Sequence, residues 1–347
     1  MDLKKSIQRP VRLMEVCGTH TVTIFKHGIR SLLPDDMQLL SGPGCPVCVT
    51  SVKDVDTVLC MAKKEQVTVV TFGDMMRVPG NKKSLFQAKS EGCDIRIVYS
   101  PLDALTIAQE NQNRTIIFFA TGFETTSPSI AGTIQEADKH EISNFYIYST
   151  HKLVPPALKA LLSSGDVLVD GFILPGHVST IIGSRPYDFI ASDYHKPSVI
   201  TGFDAGDILE AIMMLLDQIA SERSLVENQY SRIVRQEGNP KAIALIDEHF
   251  EPVDAVWRGI GTIPKSGLAL RSQYKHRDIA SVLSCNVSDA SEPRACACGD
   301  VLKGIKIPTD CALFGRACTP EKPVGACMVS SEGSCAAYYK YSGVTRS

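Results

Sequence analysis

Between residues 66 and 222 short apolar runs alternate with segments of helical period, and that alternation restricts the chain more than any other feature. Val67–Phe72, Ile95–Tyr99, Thr115–Ala120, Asn144–Tyr148, Val167–Leu174 and Ser198–Ile200 are rich in Val, Ile, Phe and Tyr and are bounded by Gly, Pro or Ser, as strands are. Helical patterns fall near 82–90, 102–110, 128–139, 156–163 and 206–221. Ser127-Pro128 reads as an N-cap followed by proline, and Pro155-Pro156 opens the next helix. Strand–helix alternation predicts an α/β fold with mostly parallel sheets and helices on both faces. A short echo, Thr121-Gly122-Phe123-Glu124 and later Thr201-Gly202-Phe203-Asp204, each between a strand and a helix, suggests two related α/β halves facing a cleft.

The 347 residues allow two or three domains. The expected division is 1–121, an N-terminal segment and first α/β domain; 122–236, a second α/β domain; and 237–347, a C-terminal domain. Residues 222–250 read as charged helices broken at Glu237-Gly238-Asn239-Pro240, and the chain after Pro252 reads as irregular and loop-rich. Lys and Arg total 36 against 38 Asp and Glu, so neither a nucleic-acid backbone nor an anionic membrane is the expected partner. Met1-Asp2-Leu3-Lys4-Lys5-Ser6 leads into no apolar leader, and the apolar runs are too short to span a bilayer. The expected compartment is the cytoplasm.

Twelve cysteines are many for a reducing compartment, where structural disulfides are rare. Five lie between Cys17 and Cys93 and seven between Cys285 and Cys335, with none between the two groups. Two such groups indicate metal or redox chemistry. Cys311, Cys318, Cys327 and Cys335 are separated by six, eight and seven residues, with Gly and Pro between them. Four thiolates suit a 4Fe–4S cluster or a structural zinc; the absence of paired C-x-x-C knuckles in this stretch favours iron–sulfur. Cys296 and Cys298 form a C-x-C beside the array, as a further ligand source or a redox dithiol.

In the N-terminal group, Cys17 and His20 stand three apart, and Gly42-Pro43-Gly44-Cys45-Pro46-Val47-Cys48 forces a tight loop. Cys17, Cys45 and Cys48 offer three soft ligands with His20 as ligand or proton donor, and Cys45 and Cys48 read equally as a redox pair. Cys60, Cys93 and Cys285 read as core or bystander thiols. Glu124, with Thr125 and Thr126, and His177 in Pro175-Gly176-His177-Val178-Ser179 follow strands, where open α/β sheets bind ligands, and capping or turn chemistry is an equal alternative for each. No G-x-x-x-x-G-K-[ST] and no clean G-x-G-x-x-G points to a nucleotide.

Five motifs in order, Cys17-Gly-Thr-His20, Gly42-Pro-Gly-Cys45-Pro-Val-Cys48, Gly122-Phe-Glu124-Thr-Thr, Pro175-Gly-His177-Val-Ser and the run from Cys311 through Gly325-Ala-Cys327-Met-Val-Ser-Ser-Glu-Gly-Ser-Cys335, resemble the HypD family of NiFe-hydrogenase maturation factors over nearly the whole chain. The start is shorter than is usual for that family. The resemblance implies two similar α/β domains and a third that holds a 4Fe–4S cluster. It implies a complex with a HypC-type small chaperone that carries iron while cyanide arrives from a HypE-type donor and a carbonyl is added. The Fe(CN)2CO unit then passes to the hydrogenase large subunit. By the same resemblance Cys17, Cys45 and Cys48 are iron-site or redox cysteines with His20 beside them, and Cys311, Cys318, Cys327 and Cys335 are the cluster ligands. Cys296 and Cys298 resemble a redox pair. On its own the chain is expected to be a monomer and an assembly scaffold, not a conventional turnover enzyme. Two other readings stay open: a cluster-dependent thiol–disulfide oxidoreductase, and a zinc-stabilised enzyme.

Overall fold

The computed structural model describes residues 7–165, 167–287, 292–293 and 295–342; the leader positions read above, 1–6, lie outside these. The strands are β1 (Val11–Glu15), β2 (Met37–Ser41), β3 (Val67–Thr71), β4 (Ile95–Ile97), β5 (Thr115–Ala120), β6 (Phe145–Ser149), β7 (Gly171–Pro175), β8 (Ser198–Thr201), β9 (Val226–Asn228), β10 (Phe250–Trp257) and β11 (Gly261–Leu270). One five-stranded sheet runs β2-β1-β7-β8-β9 and one four-stranded sheet β4-β3-β5-β6, both parallel throughout. Parallel sheets are covered on both faces, which explains why β3 and β7 are apolar runs buried at every residue. The α/β class with parallel sheets thus follows from the sequence pattern.

Sheet membership departs from the expected boundary at residue 121. The first two strands, β1 and β2, join β7, β8 and β9, while β6, expected with the second domain, completes the first sheet with β3, β4 and β5. Counted within each sheet, both have the doubly wound order 2-1-3-4, extended by a fifth strand in one. Such sheets have a switch point between their first and third strands, where ligands bind beyond the strand C-termini. The switch points here are β1/β7 and β3/β5. They carry Cys17 and His177 in one sheet, and Asp74 and Glu124 in the other. The two echoed Thr-Gly-Phe segments follow β5 and β8, one in each sheet.

Local chemistry accounts for the helix starts. Val154–Ser163 has prolines in its first turn, as expected. Ser127 does not cap: it lies inside Ser127–Lys139, and its hydroxyl donates to the Phe123 carbonyl at 3.2 Å. Between 222 and 250 one helix forms, Pro240–His249, capped by the Asn239 side chain; the preceding residues make β9 and turns. Residues 250–270, expected to be irregular, form an antiparallel hairpin with an irregularity between Val253 and Ala255. Trp257 anchors it: the indole stacks on Phe123 at 6.0 Å and donates to the Ser266 hydroxyl at 2.8 Å. Thr50 bridges to Trp257 and Lys152 to Gly267, so the hairpin holds the segment after Cys48 against the segment after β6.

Candidate functional site

Cys17 sits where β1 gives way to the helix Gly18–Lys26, in extended conformation and with its thiol buried. Burial pushes the thiol up to about 12, and the Glu332 carboxylate adds to the shift. Two residues earlier, the buried Glu15 carboxylate accepts the Cys17 amide hydrogen at 3.2 Å and the Thr21 hydroxyl. Burial raises Glu15 to about 7.

His20 is fully buried, with Nε2 2.9 Å from the Gly202 carbonyl oxygen. A carbonyl only accepts, so Nε2 carries the proton and Nδ1 is left as a buried lone pair with no partner among the described residues. Burial lowers His20 to about 4, so the ring is neutral. Phe203 stacks with both His20, at 5.0 Å, and His177, at 3.8 Å. Three motifs distant in sequence thereby meet beside Cys17. His177 reaches solvent, and desolvation of the ring on its packed side holds it below its usual range.

Cys45 caps the short helix Pro46–Val49, its sulfur accepting the Cys48 amide at 3.2 Å, and Cys45 and Cys48 are joined as a disulfide. The C-x-x-C therefore does occupy a strand-to-helix turn. The Gly18 amide donates to the Gly44 carbonyl at 3.1 Å, tying this loop to the Cys17 loop. A Cβ at Gly44 would overlap the backbone of Val16 and Cys17, so only glycine permits the approach. Among the described residues no three His, Cys, Asp or Glu side chains are arranged around a single metal ion. Of the three soft donors expected, two are oxidised here, and Cys17 alone is a free thiol.

Glu124 follows β5. Its Oε1 accepts the Val154 amide at 2.9 Å, while Oε2 is buried with no partner among the described residues. Burial raises it to about 7. Burial raises the Tyr187 hydroxyl well above its usual range, with lesser contributions from Glu124 and Cys17.

Cys296, Cys298, Cys311, Cys318, Cys327 and Cys335 all line one cavity, with Val301, Leu313, Phe314 and Met328 as its apolar wall. Cys298 contacts both Cys296 and Cys327. Sulfurs spread around a cavity, not converging on one point, suit a polynuclear cluster better than a single ion, and the all-thiolate donor set fits iron–sulfur ligation. The Val324 amide points at the Cys318 sulfur at 3.3 Å, the kind of N–H contact that tunes such centres. Burial pushes the Cys318 and Cys335 thiols up, and it is the principal upward influence on them.

The segment between Cys327 and Cys335 ties this array to both switch points. The Ser330 hydroxyl donates to Asp74 beyond β3 at 3.2 Å, and the Thr19 hydroxyl donates to Glu332 at 2.8 Å. Cys48 Sγ lies 4.0 Å from the Ala326 carbonyl oxygen. Sequence reasoning missed the roles of Glu15, Tyr187, Phe203 and Glu332. Glu15 carried a signal, an acid closing an otherwise largely apolar run before Cys17, and Phe203 and Glu332 stood inside quoted motifs without a role assigned to them. Cys60 and Cys285, treated as bystanders, touch each other.

The family model described as "Hydrogenase formation hypA family", HypD, matches residues 1–342. The chain is 47% identical over 341 residues to the hydrogenase maturation factor HypD of Rhodobacter capsulatus, covering 97% of this chain and 90% of that protein. It is 47% identical to hydrogenase maturation factor HypD of Escherichia coli, covering 98% and 91% of the two chains. A hydrogenase expression/formation protein of Methanocaldococcus jannaschii is 45% identical over 331 residues, covering 95% and 92%.

Proposed function

The chain belongs to the HypD family of hydrogenase maturation factors, and from that premise we propose that it is the scaffold on which the Fe(CN)2CO unit of NiFe hydrogenases is built. One observation carries the reading. A six-cysteine cavity reaches, through residues 326–332, the Cys45–Cys48 disulfide, the Cys17 loop and both switch points.

In this reading Cys311, Cys318, Cys327 and Cys335 hold a 4Fe–4S cluster, with Cys296 and Cys298 as an adjoining dithiol. Such a cluster supplies single electrons when bound. The rest is the work of the chain's own residues. Cys17 binds the cargo iron as thiolate, which requires it to lose a proton that burial otherwise holds on. Glu15, whose carboxylate accepts the Cys17 amide hydrogen and is raised to about 7, is the acceptor of that proton in this reading. Neutral His20 keeps an unshared Nδ1 lone pair at the site. Cys45 and Cys48 add soft donors once reduced. Strong-field cyanide and carbonyl ligands need electron-rich iron, which thiolates provide. A HypC-type chaperone and a HypE-type cyanide donor are the proposed partners and the cytoplasm the proposed compartment. Among the described residues no helix is long and apolar enough to cross a membrane.

A second reading, a cluster-dependent thiol–disulfide oxidoreductase, is favoured by the Cys45–Cys48 disulfide itself. Infrared spectroscopy of the anaerobically co-purified partner complex separates the two. Cyanide and carbonyl stretches that disappear in Cys17→Ala support the scaffold. Their absence from the wild-type complex in a maturation-competent host favours the oxidoreductase.

A further inference from the structure

Arg258 is buried to 2% exposure directly after the anchor Trp257. Its amide donates to the Val49 carbonyl at 2.9 Å, one residue from Cys48. Its Nη2 donates to the Pro79 carbonyl at 3.0 Å, and its Nη1 is buried with no partner. Among the described residues it makes no ion pair with a carboxylate; Glu292, close by, gives Oε1 to the Gly259 amide instead. The next residue, Gly259, has φ of 74° and packs so closely on Gly299 that a Cβ there would lie 2.6 Å from the Gly299 Cα. That contact sets Arg258 beside the turn bearing Cys298. The guanidinium lies within electrostatic range of Cys296 and Cys327.

A buried cation without an anion is strongly unfavourable, and burial of this kind survives where a counter-charge is present. Neutral thiols are not that counter-charge. A cluster held by four thiolates is: it is a dianion when oxidised and a trianion after taking one electron.

We propose that Arg258 is the resident counter-charge of the cysteine array, a positioning residue that makes a bound 4Fe–4S cluster easier to reduce. The inference rests on the cluster reading above. It adds a residue that none of the cysteine motifs contains.

The test uses the full chain purified without oxygen, as wild type, Arg258→Met and Arg258→Lys. Iron and sulfide per chain are measured first, then the reduction midpoint by titration followed by electron paramagnetic resonance. At the potential where the wild type is half reduced, the Met variant is expected to show at least a tenfold lower ratio of reduced to oxidised cluster, and the Lys variant to stay within about threefold. If the Met variant does not accumulate, Arg258→Gln, which keeps a donor for Pro79 and lacks the charge, takes its place with the same expectation. A neutral variant that retains its cluster and titrates with the wild type overturns the role of Arg258 alone. A wild-type protein carrying zinc and no sulfide overturns the cluster reading and this inference with it.

Discussion

The sulfur of Cys48 lies 4.0 Å from the carbonyl oxygen of Ala326, the residue before the buried Cys327. The disulfide and the cysteine array are thus neighbours that remain separate in their bonding. Cys45→Ala should therefore abolish hydrogenase maturation while leaving iron, sulfide and the visible spectrum intact. Loss of colour in that variant would merge the two sites into one.

Cys327 is 1% exposed and lies on the cavity wall. In the proposed cluster reading, replacing it with alanine removes one of the four ligands. Iron per chain after anaerobic purification should drop to a small fraction of the wild-type value, whereas Cys93→Ala, far from the cavity in sequence and absent from its wall, should leave it unchanged. Equal iron in the two variants would remove Cys327 from the ligand set.

Cys17 is held near 12, against an ordinary 9.0, by burial. In the iron-free protein at pH 8 its alkylation should be slower than that of the same cysteine in unfolded chain by about a thousandfold or more, since only the thiolate reacts. The rate should climb about tenfold per pH unit. Mass spectrometry of the alkylated peptide measures both, and labelling of Cys17 at the unfolded rate would contradict its burial.

Glu124 titrates at about 7 in the fold against an ordinary 4.5. Between those values the folded protein keeps a proton that the unfolded chain has released, so stability falls as pH rises through this window. The loss is absent below about 4.5 and complete above about 7, at roughly 3 kcal/mol for one such group. Glu124→Gln, which can still accept the Val154 amide, should show a flatter dependence of urea midpoint on pH between 5 and 8. Identical slopes in variant and wild type would mean that Glu124 is charged in the fold.

Gly44 leaves no room for a side chain against Val16 and Cys17. Gly44→Ala should lower stability by about 2–4 kcal/mol and speed Cys17 labelling, because the two loops must part to admit the methyl group. Calorimetry together with the alkylation assay would detect both, and an unperturbed variant would deny the close approach.

The strands were legible wherever apolar runs were continuous: Thr115–Ala120 matches β5 residue for residue. Strand β1 was not, because Arg12 and Glu15 interrupt its five residues, and the acid is buried through contacts with Thr21 and the Cys17 amide that no local pattern encodes. Which sheet a strand joins is a long-range matter: Leu13 pairs with Gly171, and nothing near either residue announces it. The hairpin was obscured by Pro252, Gly259, Gly261, Pro264 and Gly267, which read as turn signals although most of them sit within or between paired strands. The grouping of the C-terminal cysteines was legible because it is written in residue type, and the fold brings all six to one cavity. The contributions of Phe203, Tyr187 and Arg258 were not, because stacking, burial and an unshared charge exist only after folding.

The pairing of β1 with β7 also has a consequence for biosynthesis. The strand that carries the Cys17 turn leaves the ribosome more than 150 residues before its neighbour Gly171–Pro175. At usual elongation rates that interval is roughly 10–30 s. Through that time the nascent thiols of Cys17, Cys45 and Cys48 have no finished sheet to shelter them. They are open to stray metals and to mispairing, so holdases or strict exclusion of oxygen would raise the yield of correctly assembled chains.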